Sequence, residues 1–87
     1  MEVILHEQAK KDQAYWKATG NVAIQKRITK LLEDIKLHPF TGIGKPEPLK
    51  HSLKGAWSRR ITDEHRMIYR VSDGMIHVYI LSMRFHY

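Results

Sequence analysis

The chain has 87 residues, 43% hydrophobic and 28% charged, a globular mixture with room for one core, so a single domain is expected over residues 1–87. Fifteen Lys and Arg against nine Asp and Glu give a net charge of +6, which points to a polyanionic partner: RNA, DNA or an acidic protein. Cysteine is absent, which excludes disulfide scaffolds, thiolate zinc sites and cysteine nucleophiles, and so small a domain leaves little room for a large cofactor.

Val3-Ile4-Leu5 is a short apolar run of the kind that starts a sheet. Residues 7–18 are rich in good helix formers, with Leu5, Ala9, Tyr15 and Trp16 giving an approximate apolar stripe. Gly20 then reads as a C-terminal cap and Asn21 as the N-cap of a second helix. In that helix Ile24, Ile28, Leu31 and Ile35 recur at four, three and four residues, one helical face that Leu32 widens. Lys26, Arg27, Lys30 and Glu33 lie mostly elsewhere. The cations read first as a solvated face, with a phosphate-facing surface as the alternative.

His38-Pro39 ends the second helix, because the residue before a proline is pushed out of the helical region. An irregular loop follows, in which Pro46 and Pro48 flank Glu47, restricting the backbone so as to present one carboxylate at a fixed place. Residues 49–53, 57–62, 66–71 and 75–84 read as strands, joined by short turns and so expected to pair antiparallel. In the last, Ile76, Val78 and Ile80 should line one face and His77, Tyr79 and Leu81 the other. The expected fold class is α+β, two N-terminal helices packed on a mainly antiparallel sheet in the order β-α-α-β-β-β-β.

No run approaches about 18 consecutive apolar residues, so no membrane span is expected. The N-terminus lacks the basic and apolar regions of a secretory signal, and a cytoplasmic location is the expectation.

The second half gathers Glu47, Lys50, His51, Arg59, Arg60, His65, Arg66, Arg70, Arg84, His86 and Tyr87. Phosphodiester cleavage needs this mixture: a base, cations for charge developing on phosphoryl oxygens, and an acid for the leaving oxygen. RNA carries its own nucleophile, the 2′-hydroxyl, so neither a metal nor a cofactor is called for. The six histidines show no metal-ligand spacing. Each residue also has a plainer reading. Glu47 can pair with Lys45 or Lys50 at the surface. Arg59 and Arg60, as strand neighbours, point to opposite faces, one outward and one partly buried. Arg66 can balance Asp63 or Glu64. His86 and Tyr87 end the sequence, where chains often fray. Trp16, Trp57 and Phe40 read as core rather than as base-stacking platforms. On residue chemistry alone this is a basic α+β domain that binds nucleic acid; catalysis does not follow from it.

The runs Gly44-Lys45-Pro46-Glu47-Pro48-Leu49-Lys50-His51 and Trp57-Ser58-Arg59-Arg60-Ile61, then Glu64-His65-Arg66 with Tyr69, and the terminal Arg84-Phe85-His86-Tyr87 closely resemble the YoeB (Txe/YoeB) toxins of the RelE superfamily. The resemblance covers nearly the whole chain and implies a RelE-like fold. It implies a ribosome-dependent mRNA endonuclease that cuts the message in the A site of the 70S ribosome. It also implies neutralisation by a YefM-like antitoxin, and it fits a homodimer. It matches the family's general base to Glu47, its charge-stabilising arginines to Arg60 and Arg66, a further cation to Lys50, its general acid to His86 and its substrate-aligning terminal tyrosine to Tyr87. Arg59 is placed with Lys50 and Arg60 as substrate-binding. Phe85 stands where the family commonly has tyrosine, and the first-helix segment, His6 included, matches less well.

The arginine pair sets a geometric requirement. A two-residue turn at Asp63-Glu64 would put Arg60 and Arg66 on opposite faces of the hairpin. A three-residue loop or a bulge near residues 62–65 would put them on the same face, and that irregularity is expected.

Overall fold

The computed structural model describes residues 1–81. A short strand, β1 (Glu2–Leu5), leads into α1 (Glu7–Ala18), and Gly20 (φ +70°) reverses the chain into α2 (Val22–Leu37). The Asn21 side chain accepts from the Ile24 N–H at 3.1 Å, capping α2 as expected. Ile24, Ile28, Leu31 and Ile35 are all buried, so the four-three-four spacing marks the face that packs on the sheet. The stripe on α1 is Ala9, Asp12 and Trp16, and Tyr15 is exposed. Asp12, a buried carboxylate, accepts from the Gln8 amide and the Leu81 backbone N–H, while the Trp16 indole donates to the Leu81 carbonyl.

The strands that follow are β2 (Glu47–Pro48), β3 (Trp57–Arg60), β4 (Arg66–Ser72) and β5 (Met75–Ile80). They form one five-stranded sheet in the order β1-β5-β4-β3-β2. Every neighbouring pair is antiparallel except β1–β5, which is parallel; these two strands are far apart in the chain, as a parallel pair, which cannot be joined by a tight hairpin, requires. The expected β-α-α-β-β-β-β order and two-layer packing are present. Ala9, Trp16 and the α2 face pack on Ile61, Met67, Tyr69, Ile76, Val78 and Leu81 to make the core. Among the described residues, no helix is long and apolar enough to cross a membrane.

Two expectations are corrected. Residues 49–53 do not form a strand: the strand is Glu47–Pro48, and His51–Leu53 is a 3₁₀ turn. Pro48 has no N–H to continue a ladder, and His51 (φ +58°) and Gly55 (φ +96°) turn the backbone. The Leu49 N–H closes the loop on the Ala56 carbonyl at 2.9 Å. Leu49, Leu53 and Ala56 then cover Ile68 and Ile80 on the sheet face away from the helices, a second small apolar cluster.

The alternation along β5 also breaks. Tyr69 pairs with Val78 but Ile68 pairs with Ile80, so Tyr79 is an extra residue in β5, a bulge. One extra residue reverses the phase: Ile80 joins the outer cluster and Leu81 enters the core, the opposite of strict alternation. Residues 82–84, expected to extend β5, lie outside the described residues.

Candidate functional site

Register decides which side chains share a face. Glu47 pairs with Ser58, and Arg60 pairs with Arg66. Directly paired residues point the same way, and so do residues two apart on a strand. Glu47, Ser58, Arg60, Arg66 and Ile68 therefore share one face, and Ile68 packs in the outer cluster. Trp57, Met67 and Tyr69 point to the helices. The candidate base and both candidate arginines thus lie together on the open face of the sheet.

The arginine pairing needs the predicted irregularity, and it is there. Arg59 pairs with Met67 and Arg60 with Arg66, leaving five residues between the strand ends. The Ile61 and Thr62 N–H groups both donate to the His65 carbonyl (2.9 and 3.2 Å), and the Glu64 and His65 N–H groups donate to the Thr62 hydroxyl. The odd loop puts the two arginines opposite each other.

Arg66 is held at one end. Its Nη1 donates to the carbonyls of Thr62 (2.7 Å), Asp63 (3.1 Å) and His65 (3.2 Å), so it binds the loop backbone rather than the Asp63 or Glu64 carboxylates. Glu47 is exposed between its two prolines, and Lys50, also exposed, follows three positions later. His86 and Tyr87 lie outside the described residues. Phe40, expected in the core, is instead half exposed with its ring tilted against half-buried Trp57.

Arg59 does not fit the substrate-binding expectation. It is fully buried on the helix side, and its guanidinium is consumed by the protein. Nη1 binds the Asp34 carboxylate and the Ile43 carbonyl, Nη2 the carbonyls of His38 and Thr41, and Nε the Tyr69 hydroxyl. The Tyr69 hydroxyl in turn donates to the Pro39 carbonyl at 2.7 Å. Arg59 therefore ties β3 to α2 and to the irregular segment that leads to Glu47. Strand alternation, which sends Arg60 outward, is why the two adjacent arginines differ.

Asp34 is the residue that the sequence reading missed. It lies on α2 beside the buried Ile35, and its carboxylate also accepts from the Ile43 N–H at 3.1 Å. The Arg59 guanidinium holds its carboxyl below the usual carboxylate range, while burial pushes the Tyr69 phenol up. Gly42 (φ +112°) makes this approach possible: a Cβ there would sit 2.1 Å from Asp34 Oδ2. An acidic residue among the apolar positions of α2 was the available signal.

A second group joins the open face at its other edge. His6 Nε2 lies 3.0 Å from His77 Nδ1, and the His6 ring stacks on Tyr79 with centroids 4.3 Å apart. Among the described residues, no group of three or more His, Asp or Glu side chains is placed to hold a metal.

Comparison with known proteins bears on the whole chain. Residues 5–87 match the profile of the YoeB-like toxins of bacterial type II toxin–antitoxin systems. The Toxin YoeB of Escherichia coli K12 is 47% identical over 87 residues, the full length of both chains. A YoeB/ParE toxin from Agrobacterium tumefaciens superposes with a TM-score of 0.91 at 42% identity, covering all of both chains. The Staphylococcus aureus protein in a heterotetrameric YoeB–YefM toxin–antitoxin complex gives a TM-score of 0.87 at 36% identity, over 100% of this chain and 98% of that one.

Proposed function

The chain belongs to the YoeB-like toxins of bacterial type II toxin–antitoxin systems, and we propose that it is a ribosome-dependent mRNA endoribonuclease that cuts the message in the ribosomal A site. The observation that carries this reading is the register that brings Glu47, Arg60 and Arg66 onto one open face.

In the proposed reaction the Glu47 carboxylate acts as general base and takes the proton from a 2′-hydroxyl. The 2′-oxygen forms a bond to the adjacent phosphorus as the bond to the 5′-oxygen breaks. Arg66 and Arg60, with Lys50, stabilise the charge that develops on the phosphoryl oxygens. His86 gives its proton to the departing 5′-oxygen, a general-acid role for which an imidazole is suited. Tyr87 aligns the substrate. The products are a 2′,3′-cyclic phosphate upstream and a 5′-hydroxyl downstream; Glu47 then releases its proton to water and His86 takes one back, which resets both groups.

The anchoring of Arg66 through Nη1 supports its part. A guanidinium fixed at one corner loses less rotamer freedom when it meets a phosphate. The partner proposed for this chain is a YefM-like antitoxin, on the footing of the Staphylococcus aureus complex.

The test is primer extension on purified 70S ribosomes carrying a defined mRNA with the A site empty, with ribosome-free mRNA and His86→Ala as controls. Cuts confined to the A-site codon, only with ribosomes and only with His86 intact, are expected. Cuts on free mRNA would mean an autonomous ribonuclease. No cuts from folded protein would refute the enzymatic reading.

A further inference from the structure

A cleft of about 410 Å³ opens where α2, the Gly44-Lys45 turn and the β3–β4 loop meet, lined by Arg27, Gly44, Lys45, Arg60, Ile61, Thr62 and Asp63. Three of those residues are cations and one is an acid. Among the described residues the ion pairs are Lys11–Glu7, Lys36–Glu33 and Arg59–Asp34, so none of the three cations is neutralised by a carboxylate.

The walls of the cleft are built. The Arg60 N–H donates to the Gly44 carbonyl at 2.7 Å, and Arg27 Nη2 reaches the Arg60 carbonyl at 3.4 Å, joining three separate segments. Gly44 (φ +79°) approaches so closely that a Cβ would meet Leu31 Cδ2 at 2.7 Å. Lys45 is held in the left-handed region (φ +51°) between that glycine and Pro46. These contacts give the cationic rim a backbone that is fixed before any ligand arrives.

We propose that this cleft is a second phosphate subsite, which takes a phosphodiester of the bound RNA strand other than the phosphodiester that is cleaved. The inference rests on the proposed function and adds to it a place where RNA is held. The cleft shares Arg60 with the open face, so a strand lying across Arg60 and Arg66 continues into it. Forked guanidinium groups and an ammonium suit a phosphate's several oxygens. Arg27 then belongs to a phosphate-facing surface of α2 rather than to a solvated one.

The test is binding of a fluorescent 12-nucleotide single-stranded RNA, followed by anisotropy between 50 and 200 mM salt. Arg27→Gln/Lys45→Gln is compared with wild type and with Lys10→Gln/Lys17→Gln, an equal charge change on exposed α1. Each phosphate contact to a single strand contributes about 0.7 to the slope of log affinity against log salt. The cleft variant, which loses one phosphate contact, should lose about 0.7 from that slope, so its affinity falls about 2.6-fold less than wild type across this range. The α1 variant should keep the wild-type slope. An unchanged slope in the cleft variant, an equal loss in the α1 variant, or no RNA binding by folded wild type would overturn the proposal. So would a cleft variant that keeps RNA affinity but loses a poly-glutamate peptide, which would make this a site for an acidic protein. Ribosome cleavage is scored separately. Wild type that cleaves but shows no slope difference refutes the subsite alone, and a slope difference without cleavage refutes the enzymatic reading alone.

Discussion

Replacing Asp34 with alanine should destabilise the fold by about 3 kcal/mol. Arg59 is fully buried and Asp34 is its only anionic partner among the described residues. Removing one member of a buried ion pair costs ~3–5 kcal/mol, because the other charge is left uncompensated. The lower end applies, since the carbonyls of His38, Thr41 and Ile43 and the Tyr69 hydroxyl still receive the guanidinium. A chain of 87 residues has a total stability of about 4–13 kcal/mol, so the loss is a large share of it. It corresponds to a fall in melting temperature of about 12–24 °C. Urea unfolding, followed by circular dichroism, measures the midpoint and slope. The Asp34→Ala/Arg59→Met double variant should lose less than the sum of the single losses, because no buried charge remains unpaired in it. A loss below about 1 kcal/mol for Asp34→Ala, or strict additivity in the cycle, would refute the view that this pair is a stabilising tie.

The same tie sets the acid limb of stability. With the Asp34 pKa lowered in the folded state, its contribution is present above the unfolded carboxylate value of about 3.9 and fades as pH falls through the folded one, so Asp34→Ala should flatten the loss of stability on acidification. The Tyr69 pKa is raised instead, so stability should decline as pH climbs past about 10, a decline that Tyr69→Phe should lack. Gly42→Ala should cost about 2 kcal/mol or more by thermal melt, because its Cβ meets the Asp34 carboxylate at a positive φ. Glu47→Ala and His86→Ala should abolish A-site cleavage in the primer-extension assay, with Glu47→Ala shifting stability by no more than about 0.5 kcal/mol because it is exposed. Arg66→Ala should do the same to cleavage but cost about 1 kcal/mol by melt, through its three bonds to the hairpin loop.

The helices were the most legible part of the chain. The Ile24-Ile28-Leu31-Ile35 spacing and the Asn21 cap are local signals, and both are realised. The odd β3–β4 loop was legible for a different reason: two arginines required to share a face constrain the register, and the register obeys. What the sequence hid was non-local. Leu49 and Leu53 looked like alternating strand residues, but they cover Ile68 and Ile80 from a turn. Nothing near Tyr79 announces a bulge, which exists only relative to β4. Arg59 and Arg60 differ in no property that composition records, and only the helix layer above β3 makes one structural. Asp34 is polar in an otherwise readable helix, and its meaning lies 25 positions away at Arg59.

Arg59 reaches the segment after α2 mainly through the backbone carbonyls of His38, Thr41 and Ile43, with no side chain of those residues in the contact. A guanidinium that reads carbonyls is indifferent to what hangs from the α-carbons. The tether before Glu47 is therefore defined by chain path rather than by identity. It leaves Thr41 open to substitution by drift or by selection for a new partner, with Gly42 and Gly44 as fixed points. The carboxylate beyond Pro46 is thus insulated from variation in the side chain at Thr41.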